Sequence, residues 1–98
     1  MSPESYIGSI GEFAGSYAPK GWVNCDGRQL NTSQYQALFS ILGTAYGGNG
    51  ISTFAIPDQR PFADDKQSDT GHHRRVDWTE LGLPRKCICI DGIYPSRD

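Results

Sequence analysis

The sequence predicts a small α+β fold: an irregular antiparallel β domain with one short helix at about residues 33–43 and many turns. The chain has 98 residues, which is enough for one domain. It contains 12 Gly and 6 Pro, residues that favour turns over long regular elements. Only one stretch shows the spacing of apolar side chains that is typical of a helix. We therefore treat residues 1–98 as a single domain.

The predicted helix has recognisable signals at both ends. Ser33 is a favourable N-cap, and Gln36 three residues later completes a capping box. Gly43 supplies the left-handed residue that ends many helices. The apolar side chains between them follow the i, i+3, i+4, i+7 spacing, and they are Tyr35, Leu38, Phe39 and Leu42. We expect this stripe to be buried against the strands that hold Trp22 and Phe54.

Short apolar runs between turn residues predict the strands. Asp26-Gly27 is a strong hairpin signal, so residues 28–30 are predicted to return against residues 22–25. Gly8 and Gly11 weaken the first strand. The predicted strands are residues 6–13, 22–25, 28–30, 52–56 and 87–90.

The three cysteines do not suggest a disulfide framework, because their number is odd. Cys87 and Cys89 alternate along a predicted strand, so both side chains point to one face about 6.6 Å apart, too far for an easy disulfide. CxxC-type zinc spacing is absent from the sequence. We expect Cys25, Cys87 and Cys89 to be buried free thiols.

A polar insertion at residues 61–82 carries the candidate partner-binding residues. Residues 61–75 contain few apolar side chains and predict an exposed loop without regular structure. Guanidinium groups bind phosphates and carboxylates at two points, and aromatic side chains often anchor interfaces. The candidates are Arg74, Arg75, His72, His73 and Trp78. If they fail, the exposed aromatics Tyr17 and Tyr46 are the next choice.

Composition argues against several other functions. The net charge of -2 disfavours a nucleic-acid partner, and the basic pairs 74–75 and 85–86 are interpreted as solvated surface charge. The Asp spacing in residues 64–69 does not fit a calcium loop. No residues form a catalytic set, so we predict neither an enzyme nor a cofactor. We also expect no signal peptide and no membrane insertion, since neither pattern is present.

The order and spacing of several motifs resemble the phage tail-collar domain family. The matching pieces are Ile7-Gly8 with Gly11 and Phe13, Ala18-Pro19-Lys20-Gly21-Trp22, Cys25-Asp26-Gly27-Arg28, Ser33-Gln34-Tyr35-Gln36-Ala37-Leu38-Phe39, Leu42-Gly43-Thr44, Tyr46-Gly47-Gly48, Thr53-Phe54, and Ile56-Pro57-Asp58. An ending like Gly92-Ile93-Tyr94-Pro95-Ser96-Arg97 is also similar to the family.

The resemblance implies a structural and attachment module of a phage or prophage-derived tail fibre that contributes to host-surface binding. The alternative is a tail connector or fibre cap with no receptor contact. The implied partners are further copies of the chain in a homotrimer, other tail proteins, and a host glycan or lipopolysaccharide. The implied location is the virion, after assembly in the host cytoplasm.

Family fibres can hold a metal ion on the oligomer axis with a His-x-His arrangement. Here His72 and His73 are adjacent, so in an extended segment they point to opposite sides. We therefore predict no metal site and keep the two histidines only as weak candidates.

Overall fold

A computed structural model of the protein describes residues 5–64 and 73–95, with the backbone alone at Asp64 and His73. The described segments form small antiparallel sheets and a single α-helix, which confirms the predicted α+β class. The elements in chain order are β1 Ile10–Phe13, β2 Trp22–Asn24, β3 Gln29–Asn31, α1 Gln36–Leu42, β4 Thr53–Ala55, β5 Phe62–Asp64, β6 His73–Arg75, the 3-10 helix η1 Trp78–Leu81, and β7 Arg85–Cys89.

The central sheet is built around β7, the last strand in the chain. Its strand order is β1-β7-β2, and both neighbours run antiparallel to β7. Ile88 lies opposite Ile10 on one side and Val23 on the other. Strands β3 and β4 form a second sheet, and β5 and β6 form a third. This sheet thus joins strands from the beginning and the end of the described chain.

The predicted hairpin at Asp26-Gly27 is wrong, because β2 and β3 belong to different sheets. The Asp26 carboxylate accepts hydrogen bonds from the backbone N–H and the side chain of Arg28, at 3.2, 3.0 and 2.8 Å. Gly27 has a φ of +79° beside this contact. An Asp side chain that binds the chain two residues later makes a turn by itself, and here the turn redirects the chain toward β4.

The helix is shorter at its start than the sequence predicted. It begins at Gln36, and its N-cap position Tyr35 makes no side-chain cap hydrogen bond. Asn31 stabilises the turn before the helix: its side-chain oxygen accepts from the N–H groups of Ser33 and Gln34 at 2.8 and 3.2 Å. Ser33 is therefore a donor in this turn and not the N-cap.

Gly43 also departs from the prediction in one respect. It has a positive φ of 56°, but its ψ of -139° is not the left-handed helical value. Its N–H still donates to Phe39 O at 2.7 Å, so it ends the helix with one hydrogen bond.

The core forms where α1 packs against the sheets. Leu38 is 1% exposed and Phe54 is fully buried, as expected, and the Phe39 and Phe54 rings lie 5.3 Å apart. Trp22 is only half-buried, and its ring packs edge-on against Phe13 at 5.0 Å. The buried cluster consists of Ile7, Cys25, Leu38, Phe54, Ile56 and Ile88.

The first strand begins four residues later than predicted, at Ile10. Gly8 has a φ of +91°, which breaks the extended chain before that point. Tyr6 forms an isolated parallel bridge with Ile93 instead. The start and end of the described chain therefore lie side by side.

Candidate partner-binding surface

The predicted loop at residues 61–75 is a hairpin where the structure describes it. Strands β5 and β6 pair antiparallel, with Phe62 opposite Arg75 and Ala63 opposite Arg74. The expectation of an irregular loop is wrong at these positions, because the Phe62 ring and the Arg75 side chain supply a packing contact that composition alone did not reveal. Residue 72 lies outside the described residues, as do residues 65–71, and the side chain of His73 is likewise not described.

Arg75 fastens this hairpin to the body of the domain. Its guanidinium lies 4.1 Å from the centre of the Phe62 ring and donates to Arg60 O at 2.7 Å. Its Nε is 3.6 Å from the Asp58 carboxylate. These contacts use several of its donors, so Arg75 acts mainly as an internal anchor.

Arg74 faces the other way and is well exposed. Its side chain is 63% exposed and reaches Glu80 on η1 at 3.9 Å. An exposed ion pair at that distance contributes little to stability. Arg74 is consequently available to a partner, and Glu80 is an acidic neighbour that sequence reasoning did not select.

The prediction that Trp78 is an exposed interface residue is wrong, because its side chain is only 2% exposed. It begins η1, a short helix capped by Asp77, whose carboxylate accepts from Thr79 N at 3.0 Å. The sequence around it alternates poorly, so its burial was not visible from periodicity. Its indole Nε1 is buried and has no hydrogen-bond partner among the described residues.

The prediction that Arg85 is a solvated surface charge is also wrong, because the residue is 3% exposed. Its guanidinium donates to Gly15 O and Ser16 O at 2.9 Å each and to Asn24 Oδ1 at 3.0 Å. It also lies 3.5 Å from the Asp77 carboxylate and 5.8 Å from the Trp78 ring centre. Arg85 thus ties β7, the loop after β1, and η1 together.

Two Asp-x-Arg ion pairs, which we call clamps, lie next to each other. Asp26 holds Arg28, and Asp58 holds Arg60 through bonds of 3.1, 3.0 and 2.8 Å. The two aspartates form an isolated antiparallel bridge. The arginine hydrogen bonds hold the pKa of both carboxyl groups below its ordinary value. The clamps are ionised at neutral pH, and they are structural because each carboxylate is already paired.

The cysteines are free and buried, as expected. Burial, with the Cys87 thiol as the next contribution, raises the pKa of Cys25 to about 12. Burial also raises the pKa of Cys87. The thiolate is the reactive form of cysteine, so the Cys25 and Cys87 thiols are poor nucleophiles and poor metal ligands. Within residues 5–64 and 73–95, no three His, Cys, Asp or Glu residues converge as a metal site would require.

An open groove of about 340 Å³ lies beside β1 and η1. Its lining combines apolar and charged side chains, namely Glu12, Gln59, Pro61, Trp78, Leu83, Pro84 and Lys86. Sequence reasoning missed this groove, because its members come from four separate segments.

Exposed aromatic residues lie outside the groove, with Tyr17 at 77%, Phe62 at 56% and Tyr46 at 54% exposure. In the part of the chain that is described, no helix has the length and apolar character needed to cross a bilayer.

Comparison with known proteins identifies the family of residues 8–61. A curated relative, protein RhiB of Rhizobium leguminosarum bv. viciae, is 38% identical over an alignment of 63 positions, and this alignment covers 53% of the chain and 29% of RhiB. The chain thus spans less than a third of that relative. No solved structure matches this chain. The phage tail collar domain model matches residues 8–61, which is more than half of the chain. The protein is a member of the phage tail collar domain family.

Proposed function

We propose that this protein is a non-enzymatic structural module of a phage or prophage-derived tail fibre, and that its β5–β6 hairpin takes part in attachment to the host surface. Membership of the collar family supports the structural role. The observation that supports contact is the position of Arg74, which is exposed on a strand whose neighbour Arg75 is anchored to the body. A rigidly held strand presents an exposed cation at little entropic cost.

The chemistry of such a contact is anionic. A phosphate or carboxylate of a host lipopolysaccharide fits the guanidinium of Arg74, which can donate two hydrogen bonds to one group. The proposal extends to a homotrimer in the virion, assembled in the host cytoplasm together with other tail proteins. His72 and His73 remain weak candidates for a metal ion on the oligomer axis.

A purely structural connector or fibre cap is the second candidate. Two observations favour it: Arg75 bonds inward, and Trp78 is buried where an exposed anchor was expected. In this case Arg74 contacts a neighbouring tail protein and not the host.

Charge reversal at one exposed position separates the two functions. Arg74→Glu is compared with Lys20→Glu, which makes the same charge change at another exposed residue. We expect Arg74→Glu to reduce adsorption to host cells while particle assembly stays normal. Defective assembly instead supports the connector. Normal adsorption and assembly would exclude Arg74 as a contact and direct the search to Tyr17 and Tyr46.

The proposed oligomer has its own measurement. Light scattering of the intact tail component, or the symmetry of its reconstruction, should show three copies of the chain. A single copy without self-contact in the assembled tail contradicts the homotrimer.

A further inference from the structure

The loop between α1 and β4 contains Asn49-Gly50, a pair that can modify itself without an enzyme. Asn-Gly pairs deamidate readily, because glycine has no side chain to hinder the approach of its nitrogen to the carboxamide. The Gly50 nitrogen bonds to Asn49 Cγ, the bond from Cγ to Nδ2 breaks, and ammonia leaves with the proton of the Gly50 amide. Water then opens the succinimide ring at either carbonyl, which gives aspartate or isoaspartate. The sequence contains no other Asn-Gly pair.

The Asn49 carboxamide is held in place in the folded loop. Its Oδ1 accepts from the backbone N–H groups of Ile51, Ser52 and Thr53 at 2.7, 2.9 and 3.1 Å. Its Nδ2 donates to Ser52 Oγ at 3.2 Å. Ring closure draws Cγ onto the Gly50 nitrogen and releases Nδ2, so the reaction cannot proceed with this set of hydrogen bonds intact.

The attacking nitrogen is also engaged. The Gly50 N–H donates to Thr53 O at 2.9 Å, and the nitrogen must lose this proton to attack. Thr32, which follows β3, ties the same loop to the sheet: its N–H donates to Ser52 O at 3.0 Å and its hydroxyl to Ile51 O at 2.7 Å. Both reacting groups are therefore freed only when the loop separates from the end of β3.

We propose that Asn49 is a deamidation site that the fold keeps closed, and that it is modified in chains whose loop has opened. Opening breaks several hydrogen bonds at once, so the open loop is present in fewer than about one molecule in ten. The modification is irreversible under these conditions, whereas the opening is not. Deamidation at Asn49 thus leaves a covalent record of each chain that reacted while open.

The two products differ in their fit to the loop. An aspartate at position 49 keeps side-chain oxygens for the three N–H groups, and Ser52 Oγ can donate to it. Isoaspartate instead inserts a methylene into the backbone. The loop has no room for this, because a side chain at Gly48 would already collide with the backbone of Thr53 and Phe54. Isoaspartate should therefore displace Thr53 from its pairing with Asn31 and prevent the loop from closing.

Mass spectrometry of the full-length chain measures the rate of deamidation. The folded chain and the same chain in urea are kept at mildly alkaline pH, and the peptide that contains Asn49 is analysed for conversion of carboxamide to carboxylate. The synthetic peptide acetyl-Gly-Gly-Asn-Gly-Ile-Ser-amide, incubated in both solvents, corrects for the effect of urea on the chemistry. We expect the folded chain to react at least about tenfold more slowly than the unfolded chain.

A matched pair of variants tests whether the loop contacts control this rate. Ser52→Ala removes the acceptor of Asn49 Nδ2 and should raise the rate in the folded chain by about two- to fivefold. Ser16→Ala makes the same change at an exposed serine in another loop and should leave the rate unchanged.

The stability of the two products gives an independent measurement. Asn49→Asp should unfold at nearly the wild-type temperature. The isoaspartate chain, separated after treatment in urea and then refolded, should unfold at a clearly lower temperature. Both chains carry the same added charge, so the difference between them reports on the backbone alone.

Four outcomes would overturn the proposal. Equal rates in the folded and unfolded chains would show that the fold does not protect Asn49. A folded chain that reacts faster than the peptide would mean that the three N–H groups assist the reaction by stabilising the developing charge on Oδ1. An unchanged rate in Ser52→Ala would remove the loop contacts as the cause. An isoaspartate chain as stable as Asn49→Asp would show that the loop accepts the longer backbone. These measurements need no phage particle, so they stand apart from the proposed tail role.

Discussion

The segment that matches the collar family and the segment that follows it are stabilised in different ways. Residues 8–61 are centred on an apolar cluster in which Leu38 and Phe54 are almost completely buried. Residues 62–84 are attached by arginines, with Arg75 on the Phe62 ring and Arg85 beside the Trp78 ring. Apolar burial is non-directional and tolerates small shifts, whereas hydrogen bonds from guanidinium groups fix geometry. The second segment therefore combines the buried Val76 and Trp78 side chains with a few directed arginine contacts.

Trp78→Ala is expected to have the largest effect, and it tests whether the second segment is coupled to the first. Removing a buried Trp side chain costs about 3–5 kcal/mol, and Trp78 is 2% exposed. Urea unfolding at equilibrium measures the loss. Tyr17→Ala is the matched aromatic control, since Tyr17 is 77% exposed and should change stability by less than about 0.5 kcal/mol. A loss below about 1 kcal/mol for Trp78→Ala would show that η1 opens without affecting the core.

Leu38→Ala tests the apolar core directly. We expect a loss of about 2–4 kcal/mol, because the leucine is 1% exposed within the core cluster. The buried Cys25 thiol, with its pKa raised to about 12, serves as the reporter, since alkylation at neutral pH requires opening of the domain. Alkylation should be faster in Leu38→Ala than in Ile41→Ala, a control on the same helix at 37% exposure. Equal rates would mean that the helix stripe does not carry the core.

Acid should weaken the link between the two segments. The arginine contacts hold the folded-state pKa of Asp58 below its ordinary value of 3.8, so this contribution is fully present above that value. It is lost as pH falls through the lower folded-state pKa. Asp58→Asn should therefore reduce stability at pH 7 and flatten the decline of stability below about pH 4. An unchanged acid profile in the variant would argue against a stabilising role for this carboxylate.

The two neighbouring arginines should differ in their effect on stability. Arg75→Ala removes a hydrogen bond and a ring contact, for a loss of about 1–2 kcal/mol. Arg74→Ala removes only an exposed pair at 3.9 Å and should change stability by less than about 0.5 kcal/mol. Thermal unfolding of both variants gives the comparison. Equal losses would contradict the assignment of Arg75 as the anchor of the hairpin.

The sequence predicted the parts of the molecule in which local pattern and burial agree. The helix stripe, the buried cysteines and the last strand follow from spacing within a few neighbouring residues. The Asp26-Gly27 hairpin and the Ser33 cap were predicted from strong local signals and are both wrong. In each case an Asp or Asn side chain, Asp26 or Asn31, takes the available hydrogen bonds and redirects the chain.

The candidate surface was less predictable. Arg74 and Arg75 are chemically identical and adjacent, but one is exposed and the other binds Arg60 O and lies on the Phe62 ring. Arg85 has the local sequence context of a surface charge, but its guanidinium donates to the carbonyl groups of Gly15 and Ser16. These partners lie far away in sequence, so no local pattern could indicate them.

By itself the sequence determined the family, the α+β class and the buried stripe of the helix, because these depend on residue order and on short-range apolar spacing. The tertiary structure decided which strands pair, which arginines face solvent, and that Trp78 is buried. It also created the groove at β1 from segments separated along the chain. The physical reason is that strand pairing and guanidinium contacts join distant residues, and their free energy exists only when the whole chain has brought those residues together.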